Sequence, residues 1–187
     1  NDGSTTTTWI SGDSSANVTI GGNIEAGNFK QEGTNFTESL LVGSAPDGTL
    51  NGATGNTGVG VFSMQKITEA DGGTALGYNT LRYNRTGEFN TAIGNNSMGN
   101  TGTAPTYNTG TGYQALKDVQ SNYNIALGAK SGQNITTSSG SVIIGSVNAD
   151  SATTDRQLKI SGHDGTNTTN WISGDSDGLL TITGGEV

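Results

Sequence analysis

The chain has no cysteine, a single histidine and two prolines in 187 residues. Without cysteine there is neither a disulfide framework nor thiolate chemistry. With one histidine, His163, a Ser-His-Asp triad or a histidine metal site would rest on one residue in a turn, so no enzyme activity is expected. Apolar residues are scarce as well, at 30%, where a compact globular domain uses ~45%. Charged residues make up only 13%, which separates the chain from the highly charged class of disordered sequences. Cationic charge is the scarcer sign, with 8 Lys and Arg against 16 Asp and Glu, so neither nucleic acid nor an anionic membrane surface is an expected partner. No apolar run reaches the ~18 residues that cross a bilayer, so no membrane insertion is expected.

What fills the space is glycine, 31 residues of it, with Thr, Asn and Ser, and its placement is periodic. "ESLLVG", "NTGVG", "GTALG", "NTAIG", "NTGTG", "NIALG", "SVIIG" and "LKISG" close at Gly43, Gly60, Gly77, Gly94, Gly112, Gly128, Gly145 and Gly162. Successive closing glycines are 17, 17, 17, 18, 16, 17 and 17 residues apart. The one long step is compensated by the next, as a coil returning to its stack requires. A β-sandwich does not hold such a register, and the glycine density excludes a helical repeat. The pattern predicts an all-β fold, a parallel β-roll or β-solenoid of ~17-residue coils, in which stacking makes a continuous core that one coil could not bury alone.

Within a copy, side chains alternate faces. One face carries Val42, Val59, Leu76, Ile93, Leu127 and Ile144, and a second apolar position follows the closing glycine at Met64, Leu81, Met98 and Leu116. Both sets are the expected coil core, the second on a further short strand. The opposite face of the first strand is small in the middle copies: Gly58, Ala75, Ala92, Gly110 and Ala126. Asn56, Asn90, Asn108 and Asn124 open their copies and suit turn positions and side-chain ladders. The closing glycine is expected to be structurally demanding, and Gly99, outside the register, to be tolerant. Thr57, Thr74, Thr91 and Thr109 align too, which brings an ice-binding solenoid into view, but strand parity puts them on the same face as the aliphatic positions.

The ends repeat each other. "DGSTTTTWISGDS" (Asp2 to Ser14) returns as "DGTNTTNWISGDS" (Asp164 to Ser176), and each reads as strands joined by tight turns. The expected organisation is a β-meander shaft module over 1–30, a β-roll over 31–150 and a second meander over 151–187. Trp9 and Trp171 read as the apolar anchors of these modules, with receptor contact as the alternative. Asp175 and Asp177 in "GDSDG" lie close enough for a calcium loop but lack the acidic ligand that would follow, so no metal or other cofactor is expected. Tyr78, Arg82, Tyr83, Arg85 and Tyr107 lie in the two widest irregular stretches and are the candidate receptor contacts, with surface covering as the alternative.

The motif N-T-A-[IL]-G-x-x-[SA]-[LM] resembles the coil repeat in the heads of trimeric autotransporter adhesins, and more closely the repeats of bacteriophage tail-fibre proteins. The likeness covers about Glu38 to Gly145. It implies a homotrimeric fibre that contacts a host-surface glycan or protein and lies outside the cell, in a virion tail fibre or on a bacterial surface filament. It also implies that Gly58, Ala75, Ala92, Gly110 and Ala126 face neighbouring chains at the trimer axis.

Overall fold

The computed structural model describes residues 11–12, 18–19, 36–43, 46–47, 49–102 and 104–183. Among these there is no helix. A short antiparallel pair, β1 (Ser11–Gly12) and β2 (Val18–Thr19), precedes the main body. The expected 1–30 module, with Trp9, otherwise lies outside the described residues. A two-stranded parallel ladder joins β3 (Phe36–Thr37) to β5 (Ala53–Thr54).

The body is a parallel β-solenoid of about seven turns. Each coil contributes one short strand to a single ten-stranded sheet: β4 (Leu40–Gly43), β6 (Thr57–Gly60), β7 (Thr74–Leu76), β8 (Thr91–Ile93), β9 (Thr109–Thr111), β10 (Ile125–Leu127) and β11 (Val142–Ile144). The parallel ladder runs on into β12 (Leu158–His163), past residue 150. There the chain reverses, and β13 (Thr168–Gly174) and β14 (Leu180–Ile182) add antiparallel strands to the same sheet. Coil eight closes on Ser161 rather than Gly162, because Ile160 pairs with Ile144.

The two faces of this sheet are the reverse of the sequence expectation. Ala75, Ala92, Gly110 and Ala126 are buried in the lumen of a single chain, as is Gly58. No neighbouring chain could reach them there. Val42, Leu76, Ile93 and Leu127 point outward and are 37–49% exposed, while Val59 and Ile144 are half-buried. The reason is volume. A 17-residue coil with tight turns has a narrow lumen, and its large fillers come from the opposite wall. Met64, Leu81, Met98 and Leu116 are at most 1% exposed, as expected, and a third set, Ile67, Val119 and Ile135, closes the lumen. Only Ala or Gly fits across from them in the middle coils. Where the sheet does send in a large residue, another wall yields: Ile143 is buried, and the nearby position in the opposite wall is Gly132, where a Cβ would lie 3.5 Å from Ile143 Cγ1.

Met64, Leu81, Met98 and Leu116 do not lie on a second strand. They sit in turns with φ between 47° and 52°, and their amides reach the next coil, as in Met98 N to Ala115 O at 3.0 Å. Large side chains seldom adopt this left-handed conformation. Burial in the lumen and the inter-coil hydrogen bonds hold them in it.

The asparagine ladder is present. Asn90 Oδ1 accepts the amide of Asn108 (3.0 Å), Asn108 Oδ1 that of Asn124 (2.9 Å), and Asn124 Oδ1 that of Ser141 (3.0 Å). All four residues are fully buried, and the Asn side chains donate to carbonyls of the turns, such as Asn108 Nδ2 to Ser121 O at 2.8 Å. Buried amides are thus satisfied by side chains where the coil bends away from the sheet. The C-terminal end of the lumen is covered by Lys159, which occupies the small position, is 7% exposed, and pairs with Asp150.

Candidate functional site

The outward face of the ten-stranded sheet presents two continuous rows of side chains. One row runs through all ten strands in paired register: Val42, Val59, Leu76, Ile93, Thr111, Leu127, Ile144, Ile160, Ile172 and Ile182. Nine of the ten are aliphatic, and only Thr111 interrupts them. At ~4.8 Å per strand the row is about 43 Å long. The row beside it is Leu40, Thr57, Thr74, Thr91, Thr109, Ile125, Val142, Leu158, Gly174 and Leu180. Neither row contains a charged residue.

A β-bulge widens this face at its C-terminal end. Ile160 pairs with Ile172 and Ser161 with Asn170, so Trp171 is the unpaired residue between them. A bulge re-aims side chains. Here it lays the Trp171 indole over Gly162, where any Cβ would collide with the ring, and leaves Trp171 53% exposed. Leu180 and Ile182, 55% and 58% exposed, continue the apolar surface.

The five candidate receptor residues are split between surroundings. Arg82 stacks over the rings of Phe62 (4.8 Å) and Tyr83 (5.1 Å) and donates to Gln65 Oε1 at 2.8 Å, while Tyr78 meets Phe62 edge-on at 5.7 Å. These four side chains cover the outside of the coil. Arg85 is exposed, and its carbonyl accepts three amides from the preceding coil. Tyr107 belongs to a different array, a stack with Phe89 and Tyr123 at ring separations of 5.2 and 5.1 Å. That stack has no signature in the 17-residue pattern, because its members span the irregular step and are 18 and 16 residues apart.

The acidic and imidazole groups near the C-terminus are taken up by turns. Asp175 Oδ1 accepts the amides of Asp177 and Leu179, each at 3.0 Å. Asp164 Oδ1 accepts those of Asn167 (2.7 Å) and Thr166 (2.8 Å), and these backbone hydrogen bonds hold its carboxyl below the usual carboxylate range. His163 Nδ1 lies 3.0 Å from both Asn167 O and Thr168 Oγ1. No cluster of three His, Cys, Asp or Glu suited to a metal occurs among the described residues. No described helix is long and apolar enough to cross a membrane. Comparison with protein-family models, curated proteins and solved structures returned no match.

Proposed function

We propose that the chain is a structural segment of a homotrimeric fibre, in which three parallel copies pack through the outward sheet face. The observation that carries this is the uncharged double row spanning ten paired strands. Exposed apolar patches of that extent mark interaction surfaces. Copies of the same chain, parallel and in register, offer each other a matching row at every coil. The face supports self-association, and the number three rests on the likeness of the coil motif to trimeric fibre proteins. The trimer contact in this reading is the aliphatic face, not the small one.

Such a fibre fits a phage tail fibre that attaches to a host surface glycan or protein, lying outside the cell on the virion. The alternative setting is the head of a bacterial trimeric surface adhesin. Neither requires an enzyme activity or a cofactor. Sedimentation equilibrium of the chain tests the assembly, with three chain masses expected at micromolar concentration. A monomer there refutes it.

A second reading is favoured by one observation. Thr57, Thr74, Thr91 and Thr109 stand in paired register on the outward face rather than in the lumen. That removes the objection from strand parity to an ice-binding solenoid. Four threonines beside an aliphatic row make a short array, and thermal hysteresis of the purified chain decides it.

A further inference from the structure

One column of the coil carries the aromatic stack. Gly72, Phe89, Tyr107, Tyr123, Gly140 and Arg156 occupy the same place in six successive coils, with φ of 62°, 54°, 60°, 63°, 71° and 55°. Each amide donates to the coil before, as in Tyr107 N to Glu88 O (3.0 Å) and Gly140 N to Asn122 O (3.0 Å). The three rings are nearly parallel, with interplanar angles of 11° and 8°. They lean toward the N-terminal side: a Cβ on Gly72 would lie 2.6 Å from Phe89 Cδ1, so Phe89 covers that glycine. At the other end Gly140 supplies no side chain to stack on Tyr123, and a Cβ there would meet only Arg156 Cγ within 4 Å. Tyr123 is the most exposed ring of the three, at 60%.

We propose that the missing rung at Gly140 is a binding slot for the apolar face of a hexopyranose, held between the open face of Tyr123 and the side chain of Arg156. Tyr123 and Arg156 are two coil steps apart, ~10 Å along the column. A Cβ on Gly140 would lie 3.5 Å from Arg156 Cγ, so the Arg156 stem roofs that glycine as Phe89 roofs Gly72, and the vacancy lies between this stem and the Tyr123 ring. Arg156 is steadied by its Nη2, which donates to Ser176 O at 3.3 Å. A polar column runs beside the slot. Asn122 Oδ1 accepts the amide of Thr106 and Asp155 Oδ1 that of Ser139, both at 2.8 Å, while among the described residues nothing engages Asn122 Nδ2 or Asp155 Oδ2. A pyranose presents a C–H face to an aromatic ring and hydroxyls at its edge, which suits an apolar floor with donors and acceptors on its rim. An aromatic side chain would leave that rim unanswered. The slot deepens the fibre reading by naming the receptor as a glycan, and it is measured separately from assembly.

The test is saturation-transfer NMR on the full chain with methyl β-galactopyranoside and methyl β-glucopyranoside at roughly millimolar concentration. Transfer to the ring C–H protons of at least one pyranoside is expected. Tyr123→Ala should weaken it about tenfold or more. Gly140→Tyr should do the same by filling the slot from within, and it should fold, because Tyr107 and Tyr123 already hold a ring on that backbone conformation. Phe89→Leu, at the far end of the stack, should retain binding. Absence of transfer to both sugars, unchanged transfer in Gly140→Tyr, or transfer to p-cresol in preference to the sugars each overturns the proposal. Sedimentation of the same samples separates the two readings: a monomer that still shows transfer refutes the trimer and leaves the slot.

Discussion

Ala92 and Ile93 are neighbours in one strand, and the fold assigns them opposite fates. Ala92 is fully buried in the lumen, and Ile93 is 37% exposed on the outer face. Ala92→Ile adds three carbons to a space already filled by the opposite wall, and overpacking of this kind costs ~1–3 kcal/mol in each chain. Ile93→Ser removes apolar surface of which the single chain buries only part. Complete burial of an isoleucine is worth up to ~3 kcal/mol, so the 37% left for a partner to cover amounts to ~1 kcal/mol per chain and ~3 kcal/mol per trimer. That weakens assembly by about two decades in the dissociation constant. Melting of the dilute chain, followed by circular dichroism, reads the first effect, and sedimentation equilibrium reads the second. Ala92→Ile should lower the melting temperature at every concentration. Ile93→Ser should shift assembly strongly and the melting of the dissociated chain little. If Ile93→Ser destabilised the dilute chain more than Ala92→Ile did, the face assignment would be wrong.

Asn108→Ala should cost ~2–3 kcal/mol, because the buried amide of Asn124 loses its acceptor; Asn108→Ser should be milder, since Ser141 fills the same rung and accepts the amide of Gln157 at 3.2 Å. Urea denaturation of the two variants gives the comparison, and equal losses would mean the ladder contributes little. At the lumen end, Lys159→Met keeps the covering stem and removes a buried charge, whereas Asp150→Ala strands that charge; the second should be the more destabilising by chemical denaturation. Asp164 has a lowered folded pKa, so its contribution to stability is full above the unfolded carboxylate pKa and fades as pH falls through the folded value. Asp164→Asn should flatten that part of an acid-melting profile, and an unchanged profile would show that the turn contributes nothing.

The coil period was legible because glycine cannot be replaced at the closing position of a coil on which another parallel coil stacks. In Gly94, φ is 117° and a Cβ would lie 2.7 Å from both C and O of Gly112. Similar collisions recur at the closing glycines from Gly43 to Gly145, so sequence and geometry share one period. The third lumen wall was not legible. Ile67, Val119 and Ile135 are buried there, but the middle coils carry Asn84 and Thr101 at the same offset, which breaks the apolar pattern. The orientation of the sheet is not legible for a related reason. Parity sorts residues into two faces without saying which is inside, and apolar residues inside is a one-way rule. In a lumen this narrow the inner row must be small, and the apolar surplus appears outside, where only assembly could cover it. The aromatic stack has no 17-residue signature, because its rings are 18 and 16 residues apart, across the insertion near Pro105 that displaces the register.

The same geometry corrects the choice of a tolerant glycine. Gly99 lies outside the 17-residue register, yet a Cβ there would sit 2.9 Å from Asn79 O and 3.2 Å from Asn96 O. It is constrained by the backbone of the preceding coil at Asn79 as well as by its own turn, but without a left-handed φ. Gly102 has nothing within 4 Å of its Cβ position and is the proper control. At Gly94 a methyl group meets the backbone of the next coil, which cannot move without opening the inter-coil hydrogen bonds, such as Gly112 N to Ile93 O at 2.7 Å. The left-handed backbone alone adds ~1 kcal/mol. Gly94→Ala should therefore cost several kcal/mol and Gly99→Ala a smaller amount, with Gly102→Ala near neutral. Thermal melting of the three variants ranks them. The order follows from what each Cβ would strike, so a Gly94→Ala chain as stable as Gly102→Ala would mean that the coils do not approach each other as closely as the repeat demands.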